Sequence, residues 1–400
     1  MNPTCPGPTL GVVGGGQLGR MLAEAAAPLG VDVVVLDPTP ECPASRVADQ
    51  VEGAFDDPDA VRELADRADA LTLEIELADP DVLASVGAEL DVPVQPSPAS
   101  LRTIQDKLVQ KRTFADAGVP VPEFVAVGDA ADLEAAVDTF GGCMLKARTG
   151  GYDGRGNVPV RPGDDYDAKL AEVGAGDGGA MAEELVDFER ELSVVVAAGA
   201  DETRAFPLAE NVHEAEILRE TVVPARTDTA VAARARDVAL ETLDTLDGRG
   251  VFAVELFETA DGDVLVNEVA PRPHNSGHWS IEGATTSQFE QHVRAVLGWP
   301  LGDTGLRGTT VSANLLGDVA DPTTAALRGV EDVYDAGDAH LHWYGKREAR
   351  PLRKMGHVTV SRADADPTEL LDAVRGLRDG LTFTDSDAAA DQRAEPDSPQ

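Results

Sequence analysis

A lysine inside an apolar run, followed at once by a glycine-rich loop, restricts this chain more than any other feature. Cys143-Met144-Leu145-Lys146-Ala147 reads as a strand, and Gly150, Gly151, Gly154 and Gly156 punctuate the loop that carries Tyr152, Asp153 and Arg155. A half-buried ammonium must be paired, and glycine-rich backbone can fold down over an anion. Together they read as a grip for nucleotide phosphates. It is not a P-loop, because no G-x-x-x-x-G-K-[ST] occurs. A surface hairpin with a strand-end lysine would account for either half alone, but not for both at this spacing.

The second constraint is a hairpin. Gly250 to Glu258 and Val264 to Glu268 read as strands, and Asp261-Gly262 between them is a type I′ turn signal. With those two residues as the turn, Ala260 pairs with Asp263 and Glu255 falls opposite Glu268 on one face. Opposed carboxylates repel unless something positive bridges them. Hard oxygen donors of this kind suit Mg²⁺ or Mn²⁺, with water and phosphate completing the shell. A bulge that turns one glutamate to solvent is the bland alternative. Asn267 alternates to the other face in an ideal ladder and reaches the metal only through a twist.

At the N-terminal end, strand Leu10–Val13, helix Gln17–Leu29, strand Val31–Leu36, helix Asp59–Arg67 and strand Ala70–Ile75 alternate as βαβαβ, which predicts a parallel doubly wound sheet. Gly14-Gly15-Gly16-Gln17-Leu18-Gly19 satisfies G-x-G-x-x-G, and Asp37 stands where a ribose-binding acid would sit. Taken alone, this loop supports an NAD-dependent oxidoreductase. A helix N-terminus with close-approach glycines favours any anion, however, so the rest of the chain must decide.

Pro93, Pro96 and Pro98 mark a boundary. A helix from Ile104 to Ala117 follows, stopped by Gly118 and Pro120. Residues 121–186 read as a small α/β unit bearing the glycine loop. From Glu191 to about Pro300 the pattern is mostly strands, with one helix near Asp228 to Leu246. Strands Thr309–Leu316, Ala339–Tyr344 and Met355–Ser361 and a helix from Pro367 to about Arg378 make a third, mainly β unit. The expected domains are thus 1–98, 99–303 and 304–383. A tail at 384–400, rich in Asp, Ala, Ser and Pro, is expected to be disordered.

Four hundred residues at 42% hydrophobic suffice for two or three cores. No apolar run reaches eighteen residues, so no membrane span is expected. The N-terminus lacks the pattern of a secretory signal. Three cysteines without metal or redox spacing suit a reducing compartment, which makes a cytoplasmic location the expectation. The charge is anomalous: 72 Asp plus Glu against 33 Lys plus Arg, net −39. Such self-repulsion is screened at high salt, so the excess reads as adaptation to salt. Binding of cations or basic proteins is the competing reading, and nucleic-acid binding is disfavoured. Cations are scarce enough that the few lysines are informative.

These residues resemble the ATP-grasp superfamily and, within it, the N5-carboxyaminoimidazole ribonucleotide synthases. The likeness spans about residues 9–380. It rests on Gly14 to Arg20, on Arg148 to Gly156, on Asn267-Glu268-Val269-Ala270-Pro271-Arg272-Pro273-His274-Asn275-Ser276-Gly277-His278-Trp279, on His340 to Tyr344 and on Arg350 to His357. The resemblance implies an ATP-grasp fold, α/β and α+β, with a Rossmann-like pre-ATP-grasp domain and a small C-terminal domain. It implies a ligase in purine biosynthesis that uses ATP and Mg²⁺. Bicarbonate is phosphorylated to carboxyphosphate and the amine of 5-aminoimidazole ribonucleotide is carboxylated, leaving ADP and phosphate. A homodimer is implied, with the product passed to a separate mutase.

Carried over residue by residue, Lys107 and Lys146 contact the ATP phosphates, with the loop Gly151, Tyr152, Asp153, Gly154, Arg155, Gly156 and Asn157. Glu183, Glu184, Leu185 and Val186 form the adenine hinge, Glu191 holds the ribose, and His213 lies near ATP. Glu255 and Glu268 carry the metal, with Asn267 beside them. Gln17, Leu18 and Glu76 face the ribonucleotide, and Tyr152, Asp153 and Arg155 approach it from the lid. Lys346, Arg353 and Lys354 reach it from the third unit, the last two at its phosphate. Arg272 grips bicarbonate or carboxyphosphate, flanked by His274 and Asn275. His340 and His342 alternate on a strand as metal ligands can, but read as packing or surface residues, as do Trp279 and Trp343. The nearest rival is a formate-dependent glycinamide ribonucleotide transformylase of the same superfamily; Asn275 to Trp279 and the Arg353-Lys354 segment favour the carboxylating enzyme.

Overall fold

The computed structural model describes residues 1–150, 156–174 and 179–383. The lid residues Gly151 to Arg155 and the tail 384–400 therefore lie outside the described residues. Within them the chain builds three sheets of four strands or more. The first is parallel, with strands β1 (Thr9–Val13), β2 (Asp32–Asp37), β3 (Asp49–Glu52) and β4 (Ala70–Leu73) in the order β3-β2-β1-β4. Helices α1 (Gln17–Ala26), α2 (Pro58–Asp66) and α3 (Pro80–Leu90) cover it. Strand β3 and helix α3 are absent from the sequence reading. Each is short or weakly patterned, and α3 announces itself only by its cap, Asp79, which accepts from Asp81 N at 2.7 Å.

The helix expected from Ile104 to Ala117 is interrupted at Asp106, and most of the helix before it, residues 98–103, is absent from the sequence reading. Asp106 is extended (φ −100°, ψ 104°), ending α4 (Pro98–Gln105) and capping α5 (Lys107–Asp116) through Leu108 N at 3.0 Å. An Asp that bonds the following amides competes with helix continuation. The break places Lys107 in the first turn of α5. Asp129 and Asp366 cap later helices in the same way, so part of the acidic excess is structural.

The small antiparallel sheet holds β5 (Phe124–Val127), β6 (Cys143–Ala147), β7 (Asn157–Val160) and β8 (Ala180–Glu184) in the order β5-β8-β6-β7. Helices α6 (Ala130–Phe140) and α7 (Tyr166–Val173) pack on it around Leu133, Val137, Leu145 and Val160. The large sheet has nine strands among the described residues. Its strands β9 (Phe188–Ala198), β10 (Thr203–Ala205), β11 (Ala209–Glu214), β12 (Ile217–Val223), β13 (Gly250–Thr259) and β14 (Val264–Ala270) back onto α8 (Thr229–Leu243). Strand β15 (Thr309–Leu316) pairs with β12, and Lys354–Arg362 and Ala339–Trp343 follow it. The sheet thus runs without interruption across residue 304. Helix Gln288–Val296, absent from the sequence reading, packs Phe289, Val293 and Val296 against α1, joining the first sheet to the large one.

Candidate active site

The hairpin β13–β14 sets Glu255 opposite Glu268, as expected, but by another route. The turn is three residues, Ala260 to Gly262. Gly262 N donates to Thr259 O at 2.8 Å, and Gly262 has φ +76°. That shifts the ladder by one, pairing Leu256 with Val266. A bulge at Asn267 then restores the register, so Glu255 meets Glu268. A bulged residue is re-aimed relative to the pleat. This corrects the placement of Asn267 on the far face: its Oδ1 lies 3.2 Å from Lys146 Nζ.

Three lysines enter from two elements. Lys107 Nζ is 2.8 Å from Glu268. Lys146, on β6, and Lys111, one turn beyond Lys107 on α5, both reach Glu183 at 2.7 Å. Lys111 also donates to Val266 O at 2.8 Å, which ties α5 to the metal-site strand. Burial would push Glu183 up, but Lys146 and Lys111 outweigh it and hold the carboxyl below the usual range. Lys111 is pushed down to about 8, mainly by burial. Reasoning from sequence passed over Lys111, although its i, i+4 spacing from Lys107 was the available signal. The Glu183 side chain is a buried counterion, a role beyond the backbone hinge expected of it. In that hinge, Glu184 N already donates to Glu123 O, and Leu185 and Val186 lie past the strand end.

Glu255 and Glu268 share one site with opposite tendencies. Burial and the charge of Glu268 push Glu255 up, while Lys107 holds Glu268 low. His274 Nδ1 stands 3.5 Å from Glu255. Two opposed carboxylates beside an amide oxygen are oxygen donors suited to Mg²⁺, and among the described residues no group of three or more His, Cys, Asp or Glu forms a self-sufficient metal cage. A divalent ion that takes its remaining ligands from phosphate and water fits this donor set. Two buried polar atoms nearby, Asn157 Oδ1 and Asn275 Nδ2, lack partners among the described residues. Asn157 is the ladder partner of Lys146.

On the neighbouring strands, Glu191 lies 3.1 Å from His213 at a bulge in β11. Burial opposes a charged imidazole there, but Glu191 outweighs it and His213 is raised. Gly156 O accepts from Ala147 N at 2.8 Å, and Arg148 O accepts from Lys107 N at 2.8 Å, so the strand leading into the lid is tied to α5.

The glycine loop overturns the dinucleotide reading. Gly19 N donates to Glu74 at 2.7 Å, Gly16 N donates to the same carboxylate, and Gly15 N donates to Asp37 at 3.0 Å. The anion at the helix N-terminus is the chain's own. Asp37, read as a ribose acid, also accepts from Thr39 N at 2.8 Å. Gln17 lines an open cavity. The Leu18 side chain, by contrast, is packed in the core, so any contact with substrate is through its backbone. Glu76 meets Arg272 in a two-point ion pair at 2.8 and 2.9 Å, bridging the first sheet and the metal hairpin.

In the last unit, Lys346 Nζ donates to Lys354 O at 2.6 Å and Arg353 donates to Glu348 O at 2.9 Å. Lys354 lies close enough to Glu255 and His213 to favour the ionised glutamate and oppose the charged imidazole. His342 binds Glu282 at 2.7 Å and stacks on His357, while His340 is exposed. Trp279 is buried against Phe206. None of these three takes part in the cluster around Glu255 and Glu268.

Residues 112–289 match the model of the ATP-grasp domain, residues 8–105 the ribonucleotide synthetase preATP-grasp domain, and residues 310–369 the phosphoribosylaminoimidazole carboxylase C-terminal domain. The N5-carboxyaminoimidazole ribonucleotide synthase of Brucella melitensis is 42% identical over 360 residues, covering 88% of this chain and 96% of that one. The crystal structure of the N5-carboxyaminoimidazole ribonucleotide synthetase from Thermotoga maritima superposes with a TM-score of 0.85 at 38% identity, over 95% of this chain and 100% of that one. The Aspergillus clavatus enzyme, crystallised with ADP and 5-aminoimidazole ribonucleotide, gives 0.85 at 34% identity, over 94% and 99%. With a catalytic-domain match, both flanking domains and relatives of nearly equal length, this chain belongs to the N5-carboxyaminoimidazole ribonucleotide synthase family of ATP-grasp enzymes.

Proposed function

We propose that the chain is an ATP-dependent ligase that carboxylates 5-aminoimidazole ribonucleotide with bicarbonate, through carboxyphosphate, in purine biosynthesis. The observation that carries the reading is the single cluster of Glu255, Glu268, Asn267, Lys107 and Lys146. Phosphoryl transfer asks mainly for positioning and charge neutralisation, and this cluster offers both. Glu255 and Glu268, with Asn267, would hold Mg²⁺, which when bound supplies positive charge to the β- and γ-phosphates. Lys107 and Lys146 are poised to exchange part of their carboxylate contacts for phosphate oxygens. The hinge Glu183 to Val186 would receive the adenine, and Glu191 with His213 the ribose.

Arg272, fixed by Glu76, would hold bicarbonate and then carboxyphosphate, with His274 and Asn275 alongside. Tyr152, Asp153 and Arg155 would close over the site, since carboxyphosphate must be kept from water. Gln17 and the Leu18 backbone would meet the ribonucleotide from the glycine loop. Lys346, Arg353 and Lys354 would meet it from the last unit. The reading carries with it a cytoplasmic homodimer adapted to high salt, whose product a separate mutase consumes.

The deciding assay is phosphate release in molar salt from ATP, Mg²⁺ and bicarbonate, with and without aminoimidazole ribonucleotide. Release should require both the bicarbonate and the ribonucleotide. Turnover with glycinamide ribonucleotide and formate instead would move the chain to the rival ligase. Sedimentation at the same salt tests the dimer.

A further inference from the structure

Glu183 is 2% exposed and carries two lysines, one on each carboxylate oxygen: Lys146 on Oε1 and Lys111 on Oε2, both at 2.7 Å. One negative charge thus holds two positive ones, in a chain where acids outnumber cations 72 to 33. Neutralising the carboxylate would take a single lysine.

The two lysines are placed differently. Lys111 is 2% exposed, and its further bond is to Val266 O at 2.8 Å, a backbone group one residue before Asn267. Lys146 is 8% exposed, and its further contact, at 3.2 Å, is Asn267 Oδ1, beside the hairpin carboxylates. Lys111 is anchored on interior groups, whereas Lys146 stands at the edge of the cluster that would hold metal and phosphate. A buried carboxylate that loses its only cation keeps an uncompensated charge, which is strongly destabilising. Were Lys146 the sole partner, its move toward a phosphate would strand Glu183. With Lys111 on the other oxygen, Lys146 can turn away and leave the carboxylate paired.

We propose that Lys111 is a positioning residue for ATP binding: by neutralising Glu183 it releases the Lys146 ammonium to the phosphates. It touches no ligand itself. The proposal deepens the reading of Lys146 as a phosphate contact and rests on it.

The test is Lys111→Met, similar in length and without charge, beside the double variant Lys111→Met/Glu183→Gln. Both lose the bond to Val266 O, so a difference between them reports charge and not packing. Calorimetric titration with Mg-ATP in molar KCl reads the site without turnover. In Lys111→Met the carboxylate keeps Lys146 to itself, and Kd for Mg-ATP should rise about tenfold or more. The double variant has no carboxylate to strand and should return to within about threefold of wild type, the non-additivity that marks coupled groups. Unchanged affinity in a folded Lys111→Met overturns the proposal. So does a loss that the double variant fails to repair, which would make Lys111 a tie between α5 and β14 and nothing more. If Lys111→Met does not fold, the double variant decides alone, since it buries no unpaired charge. Near-wild-type affinity there supports the proposal, and a loss of about tenfold refutes it. A wild type that binds no Mg-ATP would sink the phosphate reading of Lys146 and this proposal with it. Binding without ligase turnover would instead fault the ligase reading and leave the titration to judge Lys111.

Discussion

Two pairs of carboxylates in this molecule have opposite fates. Under the glycine loop, Asp37 and Glu74 are bonded by the backbone amides of Gly15, Gly16 and Gly19. In the central hairpin, Glu255 and Glu268 face each other; Lys107 is 2.8 Å from Glu268, and His274 Nδ1 is 3.5 Å from Glu255. The first pair is satisfied by its own fold, which fills the place where a pyrophosphate would sit. The second is left with like charges opposed, which a fold tolerates where a ligand completes the site. The same residue types are structural in one place and functional in the other. What separates them is whether the chain supplies the counter-group.

The contrast breaks most sharply by removing one charge from the unsatisfied pair. Glu268→Gln and Glu255→Gln should each lower ATP-dependent phosphate release at least about a hundredfold, the scale of losing one preorganised electrostatic contact, while the far-UV spectrum and melting remain near wild type. Lys146→Ala should do the same, because Lys111 still neutralises Glu183 in its absence. Undiminished turnover in any of the three would mean the hairpin carboxylates are as structural as Glu74.

The satisfied pair should respond in the other currency. Glu74→Ala leaves the amides of Gly16 and Gly19 without their acceptor, a cost of about 1–3 kcal/mol in unfolding free energy. Urea denaturation measures it. A variant as stable as wild type would show that water or a neighbouring group replaces the carboxylate.

Much of this division was readable in the sequence, though not always for the right reason. The lysine in an apolar strand marked Lys146, and hairpin arithmetic paired Glu255 with Glu268. That arithmetic assumed a two-residue turn and an unbroken ladder. The three-residue turn and the bulge at Asn267 are two deviations that cancel, so the pairing survived while Asn267 was misplaced. The glycine loop was legible as an anion site, but not as one already filled. Glu74 lies 55 and 58 residues from the amides it accepts, and no local pattern reports a contact at that separation. The break at Asp106 was local and could have been read: an Asp within a predicted helix can as well be the cap of the next one.

Salt should separate the surface from the buried pair under the glycine loop. Raising KCl from low concentration to molar shortens the screening length to about 3 Å, so the melting temperature of a chain at net −39 should climb. Wild type and Glu74→Ala should climb in parallel, since screening acts on exposed charge and little on Glu74. A flat profile in the wild type would refute the reading of the acidity as salt adaptation.

The smallest effect is a pH dependence at Glu74. Burial pushes Glu74 up to about 7 in the fold, against the opposing pull of the Gly19 and Gly16 amides. An unfolded glutamate releases its proton near 4.5. Between those values the folded protein keeps a proton that the unfolded chain has lost, so this group's contribution to stability falls as pH rises and levels off above about 7. Glu74→Gln cannot titrate and lacks that slope. Its cost relative to wild type should therefore be greatest at the acid end of the window and smallest above it, a trend that paired urea melts across the range can resolve. A cost that instead grew with pH would mean that the loop amides, not burial, control Glu74, making it a permanently charged cap on α1.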